Sequence, residues 1–337
     1  MRAFVITGPG RAEVQDVEPP VPGPGEVVVE VERAGVCGTD MEFHSGAMAY
    51  LRTGEARYPV RIGHEWAGVV REVGDGVDPG WLGRRVTGDT MLGCGHCARC
   101  LGGRQHLCAD RYEIGVRNGW PGALAEWLPV PVRALQPLPA TLDPVLGALV
   151  EPGGNALRAV EAAALGRGER LLIIGPGTIG LLAALMAAAR GAEVHLLGLP
   201  GPALDFARSL GFPHLHTGRP EQTFDAVIDA SNGSGSPALA VAAVEPGRRV
   251  VLIGLSAEPS RLDTRALVLG DITAVGILSA SGGLAGATEL YASGLVDPRP
   301  LVAATVSLEE AAPVLAGRRR PEWGSAPKIH IDPRLPG

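Results

Sequence analysis

Five cysteines, at positions 37, 94, 97, 100 and 108, carry the first chemical signal in this chain. Four of them form Cys94-x2-Cys97-x2-Cys100-x7-Cys108 and one stands alone. That spacing is not a disulfide framework; four thiolates on one short loop match the tetrahedral all-sulfur shell of a structural zinc. His96 and His106 interleave with the cysteines, so a shell in which an imidazole replaces one sulfur stays open, as does a set of free or redox-active thiols. Four protein ligands leave a metal no open position, so such a zinc holds its lobe in shape and does no chemistry.

The lone Cys37 lies in GVCGTD, directly after the alternating run VVVEVERA, which reads as a strand launched from the turn-rich PPVPGPGE. His64 and Glu65 stand before a second strand in RIGHEWAGVV, and Glu151 precedes Pro152 at a helix entrance in LVEPGGNALRAV. Singly, these residues read as core filling, an interior histidine and a cap. Together they are the residue types that ligate zinc.

A second signal is independent of the first. RLLIIGPGTIGLLAALMAAARGAEVHLLG reads strand, glycine turn, helix, strand, the context in which G-x-G-x-x-G marks a dinucleotide site. Gly175 permits the turn, Gly177 lets backbone amides approach a pyrophosphate and Gly180 lets the helix pack close to the strand, with Thr178 and Ile179 between them as further cofactor-binding candidates. The uncharged stretch Leu171 to Ala189 is therefore a strand and a helix, not a membrane span. FDAVIDAS, RRVVLIGLS and DITAVGIL supply further strands of a doubly wound fold. The second strand ends at Gly198, where selection for NAD usually places Asp or Glu; Leu199 to Ala203 hold no Arg and Arg208 reads as solvent-facing. The balance leans to NADP, with tolerance of both cofactors as the rival.

These elements sit in 337 residues, 46% hydrophobic and 20% charged, a length and composition that call for two folded cores. Acidic residues outnumber basic ones 36 to 30, and no basic run is longer than Arg318 to Arg320, so nucleic acid is not an expected partner. The N-terminal MRAFVITGPG has no apolar core of signal-peptide length, which places the chain in the cytoplasm, away from membranes.

The order GVCGTD, GHEWAG, four-cysteine lobe, EP, GPGTIG and a final KIHID resembles the zinc-dependent medium-chain dehydrogenases/reductases over almost the whole chain. The EP looks like the polyol, threonine and glucose dehydrogenase branch. The resemblance implies an α/β fold with a GroES-like, mainly-β catalytic domain from residues 1–150 and 280–337 and a Rossmann domain at 151–279. It implies two zinc ions per chain: a structural one at Cys94, Cys97, Cys100 and Cys108, and a catalytic one at Cys37, His64 and Glu151 with Glu65 behind them or exchanging onto the metal. Thr39 falls where the family relays the substrate proton. The family's usual histidine three residues later is Glu42 here, with His44 two further on, so the proton leaves through Glu42, His44 or water. The implied reaction is hydride transfer between a secondary alcohol and NAD(P). A zinc-free quinone or enoyl reductase on the same fold and a nucleotide-binding regulatory protein without turnover are the alternatives. Thr90 aligns with a pocket-lining position of the family and Asp89 precedes it; a wall of both favours sugars or polyols over simple alcohols. The segment SGAMAYLRTGEARYPVRI, with Tyr50, Arg52, Glu55 and Arg57, reads either as a cover over the substrate or as a solvated loop. The family also implies a homodimer or homotetramer paired near Asp271 to Ile277.

Overall fold

The computed structural model describes residues 1–337. The apolar stretch that follows Glu169 folds as strand Arg170–Ile174 and helix Thr178–Ala189, joined by the tight turn at Gly175 to Gly177. That strand belongs to a sheet of six parallel strands in the order His214–His216, Glu193–Leu197, Arg170–Ile174, Phe224–Asp229, Val244–Leu252 and Thr273–Gly276. Strand order reverses between Arg170–Ile174 and Phe224–Asp229, the switch point at which doubly wound sheets open a crevice.

Side chains alternate across this sheet as the pleat requires. Leu171, Ile173, Leu196 and Ile228 pack on one face against helices Val150–Ala163 and Thr178–Ala189. Leu172, Ile174, Leu197 and Val227 pack on the other, against helix Ser236–Ala243.

The second sheet is largely antiparallel and has seven strands. Its centre is Glu26–Gly35, which the alternating valines make a two-sided buried strand. Glu65–Val73, Trp127–Pro131 and the C-terminal Lys328–Ile331 all pair with it. Phe4, Phe43, Trp66 and Leu128 fill the core below.

Two placements differ from the sequence reading. Helix Leu284–Ala292, expected with the catalytic domain, lays Leu284, Ala287 and Tyr291 into the core beneath the parallel sheet, and Tyr291 Oη donates to the Leu149 carbonyl at 3.3 Å. The chain rejoins the antiparallel sheet only at Val302–Val306. The segment 45–62 contains a short helix, Ala49–Thr53, and is pinned to residues 111–117. Tyr50 Oη donates to Glu113 at 3.1 Å, Glu55 pairs with Arg117, and the Arg117 guanidinium lies 5.6 Å from the Tyr50 ring centroid. Arg52 donates to Ala47 O within the segment and Arg57 is exposed. No helix is long and apolar enough to cross a membrane.

Candidate active site

Strand pairing builds the centre of the site. Glu26–Gly35 sets Gly35 opposite Glu65, so Cys37, two residues past the strand end, lies beside His64 and Glu65. Ligand atoms of Cys37, His64 and Glu65 all fall within 4.8 Å of one another. Asp40, fully buried, fixes this arrangement: one carboxylate oxygen accepts the Cys37 N–H at 2.9 Å, the other the Gly63 N–H at 3.1 Å. As the third residue of helix Gly38–Ser45 it caps that helix and anchors the histidine's own segment at once. Asp40's place three residues after Cys37 is a capping signal in the sequence, but nothing local to it shows that the carboxylate is buried or that it reaches Gly63.

Burial alone would lower the His64 pKa, but Asp40, 3.7 Å from Nδ1, together with Cys37 raises it well above the usual value. Nδ1 itself is buried without a hydrogen-bond partner. Glu65 is bound through both oxygens to Lys328 Nζ, at 2.8 and 2.7 Å, and Nζ also donates to Val36 O at 2.9 Å. Both partners are at most 3% exposed. A Cβ on Gly35 would overlap the Glu65 carboxylate, which is why glycine stands there.

Glu151 is buried in the first turn of helix Val150–Ala163, outside that mutually close group. Its Oε1 accepts Asn155 Nδ2 at 3.0 Å and Thr90 Oγ1 at 3.4 Å. Desolvation pushes its carboxyl up to about 7, with His64 opposing and Glu65 adding to the rise. Glu65, expected behind the metal or exchanging onto it, is geometrically nearer Cys37 and His64, yet its oxygens are committed to Lys328. Thr90 does reach this cluster, and the buried Asp89 beside it accepts Met91 N at 3.0 Å and Gln105 Nε2 at 2.9 Å, tying the site to the cysteine lobe.

In that lobe the Cys94, Cys97, Cys100 and Cys108 sulfurs lie within 4.8 Å of one another, with Cys94 to Cys100 and Cys97 to Cys108 both 3.9 Å. A tetrahedron with Zn–S bonds of about 2.3 Å has sulfur–sulfur edges of about 3.8 Å. Backbone N–H groups of His96 and Cys97 hold the Cys94 thiol down to about 6, whereas desolvation and the neighbouring sulfurs push Cys100 up to about 12. Four thiolates coexist here only around a cation. Neither His96, exposed and turned to Cys94 O at 3.1 Å, nor the buried His106 joins the sulfurs.

Thr39 and Glu42 are one turn apart on one face of helix Gly38–Ser45, whereas His44, five residues on, sits roughly 140° around it. Thr39 is half-buried and Glu42 exposed.

The glycine turn opens on a cleft of about 1410 Å³, larger than the roughly 1,000 Å³ upper range of small-molecule pockets. Gly175 has φ 96°, and a Cβ on Gly180 would overlap the Gly175 carbonyl. A Cβ on Gly177 meets nothing, so the cradle at the start of helix Thr178–Ala189 is open, and no side chain caps that helix. Gly198 lines the same cleft, but a Cβ there would lie 2.7 Å from the Pro176 ring. The acidic residue of NAD-selective sites is therefore excluded by packing as well as absent. Pro327, next to Lys328, lines the cleft from the other sheet.

Residues 23–140 match the alcohol dehydrogenase GroES-like domain. The L-threonine 3-dehydrogenase of Saccharopolyspora erythraea is 34% identical over 82% of this chain and 83% of its own length. Among solved structures, a dehydrogenase described as zinc-binding from Sinorhizobium meliloti 1021, bound to NADP, is 27% identical with TM-score 0.88 over 98% of this chain and 99% of its own. Galactitol-1-phosphate dehydrogenase from Escherichia coli is 26% identical with TM-score 0.87 over 99% of this chain and 100% of its own.

Two substitutions test this geometry. Lys328→Met leaves Glu65 charged and unpaired in the interior and is expected to cost about 3–5 kcal/mol in urea denaturation, most of it recovered by adding Glu65→Gln; a loss below about 1 kcal/mol contradicts the pairing. Gly198→Asp is expected to weaken binding of both NAD and NADP in fluorescence titration, because its Cβ strikes Pro176; a clean switch toward NAD refutes the packing argument.

Proposed function

The chain belongs to the zinc-type medium-chain dehydrogenases/reductases, and from that membership we propose that it interconverts a secondary alcohol carrying further polar groups with its ketone, using NAD(P). The observation that carries this reading is the close group Cys37, His64 and Glu65, with buried Glu151 near enough to feel the charges of His64 and Glu65, in a chain whose glycine turn opens on a dinucleotide-sized cleft. Polyols, their phosphates and hydroxy amino acids are the substrate class, in keeping with the relatives and with Thr90 at the metal cluster.

Cys37, His64 and Glu151 would hold the catalytic zinc, because Glu65 is neutralised by Lys328 while Glu151 is desolvated without a cation of its own. The orphaned Nδ1 of buried His64 fits the same assignment. Cys94, Cys97, Cys100 and Cys108 would hold the structural zinc. Bound there, the catalytic zinc supplies a Lewis acid that lowers the alcohol's pKa, and the nicotinamide supplies the hydride acceptor.

The chain's own residues do the rest. Asp40 clamps the Cys37 and Gly63 amides, so the thiol and imidazole keep their places while substrate exchanges. The Thr39 hydroxyl has no partner within the protein and takes up the alcohol proton while passing its own to Glu42 on the next turn. Unpaired amides at the start of helix Thr178–Ala189 seat the pyrophosphate. The absence of an acidic group at Gly198 admits a 2′-phosphate, and NADP is the preferred cofactor. The five cysteines form no disulfide, and thiolate ligands of this kind suit a reducing compartment such as the cytoplasm. Subunits pair through the edge strand Thr273–Gly276 and the neighbouring Val268 and Leu269, which are 79% and 88% exposed.

Cys37→Ser is expected to lose one of two zinc ions per chain by elemental analysis and to abolish turnover with the fold retained; turnover at wild-type rate removes Cys37 from the reaction. Thr39→Val should lower kcat by roughly 10² or more with cofactor affinity unchanged, whereas lost stability with kcat retained makes Thr39 only a helix-start residue. Steady-state rates with L-threonine, polyols, sugar-alcohol phosphates and long aliphatic alcohols, each with NAD and NADP, should favour the polar substrates and NADP. Preference for aliphatic alcohols, or for NAD by about tenfold, refutes the corresponding half of that assignment.

A further inference from the structure

The parallel sheet carries a second histidine-rich cluster, on its outer edge and apart from the dehydrogenase chemistry. Strand Glu193–Leu197 pairs with the edge strand His214–His216 so that His195 stands opposite His214 and Leu197 opposite His216. Alternation along each strand turns Glu193, His195, His214 and His216 to one face. The geometry points to a further site for a divalent transition metal of the nickel, copper and zinc class, with Glu193, His195 and His214 as ligands and His216 behind them.

Ligand atoms of Glu193, His195 and His214 lie within 4.8 Å of one another. One carboxylate and two imidazoles form a borderline donor set that suits these ions rather than magnesium or calcium, and three protein ligands leave the remaining positions to water. Glu193 and His214 are exposed, which gives an ion access, while His195 is only 3% exposed and held rigidly. Its ring stacks on His214 with centroids 4.4 Å apart. The His214 side chain makes no hydrogen bond within the protein, so it is free to swing onto an ion.

His195 is also supported as a ligand should be. Its Nε2 lies 2.8 Å from Glu193 Oε1 and its Nδ1 lies 2.9 Å from His216 Nε2. An ion on Nε2 would displace the hydrogen bond to Glu193 and move the ring's proton to Nδ1, which faces both His216 Nε2 at 2.9 Å and Gln222 Nε2 at 3.3 Å; His216 would shift its proton to its other nitrogen to accept, the Gln222 amide would turn its oxygen inward, and no net proton need leave. A ligating imidazole that donates its other N–H to a fixed acceptor is the usual arrangement at metal sites. Desolvation lowers the pKa of both His195 and His216 from the ordinary histidine value. The edge strand runs directly into Thr217 and Gly218, which line the cofactor cleft, so an ion here would fasten the strand that borders that cleft.

The test uses the zinc-loaded full-length enzyme, dialysed against Ni2+ and desalted, with both metals counted by elemental analysis. One nickel per chain is expected above an unchanged zinc content, with affinity reduced at least about tenfold in His214→Ala and in Glu193→Gln. Both side chains are exposed, and circular dichroism of each variant reports folding separately from metal binding. No stoichiometric nickel, nickel gained only with an equal loss of zinc, or nickel affinity unaltered in a folded His214→Ala overturns the site.

Discussion

A lysine and a glutamate removed from water tolerate each other far better than either tolerates isolation, and the contact between Lys328 and Glu65 organises much of this protein. The two residues are 263 positions apart, so the C-terminal strand has to close on Glu26–Gly35 for either charge to be compensated. That closure holds Glu65 against Gly35, and with it His64 beside Cys37. It also sets Pro327 on the wall of the cofactor cleft, so one ion pair relates the ligand cluster to the nucleotide site.

Asp40, Glu65 and Glu151 crowd the same region, and three carboxylates so close would repel one another if all were treated alike. Each is handled differently. Glu65 has a lysine, Asp40 has two backbone amides and a nearby imidazole, and Glu151 has only an asparagine and a distant threonine hydroxyl. Burial raises the carboxyls of both Asp40 and Glu151, and Glu151, with no cation of its own, reaches about 7. A carboxyl in that condition gains most from a cation, which is the physical ground for assigning it to the metal in preference to the nearer Glu65.

The glycines of the nucleotide turn divide along similar lines. At Gly180 and Gly198 a side chain would strike protein, so these glycines secure packing; at Gly177 it would meet open space, so that glycine leaves room for a ligand. A single motif thus serves both compactness and recognition.

Local spacing alone determined a good deal: the four-cysteine lobe, the strand, glycine turn and helix of the dinucleotide fold, the strands flanking Cys37 and Glu65, and the helix that opens at Glu151. Those features depend on periodicity and on residues a few positions apart, which a single chain displays directly. Tertiary structure decided the rest. Only folding shows Lys328 on Glu65, Asp40 bridging Cys37 and Gly63, Asp89 turned to Met91 and Gln105, helix Leu284–Ala292 beneath the parallel sheet, and Pro176 closing the space beside Gly198. Each of these answers the cost of leaving a buried charge, polar group or apolar face uncompensated. The partner that meets that cost is chosen by proximity in space, which spacing along the chain does not encode.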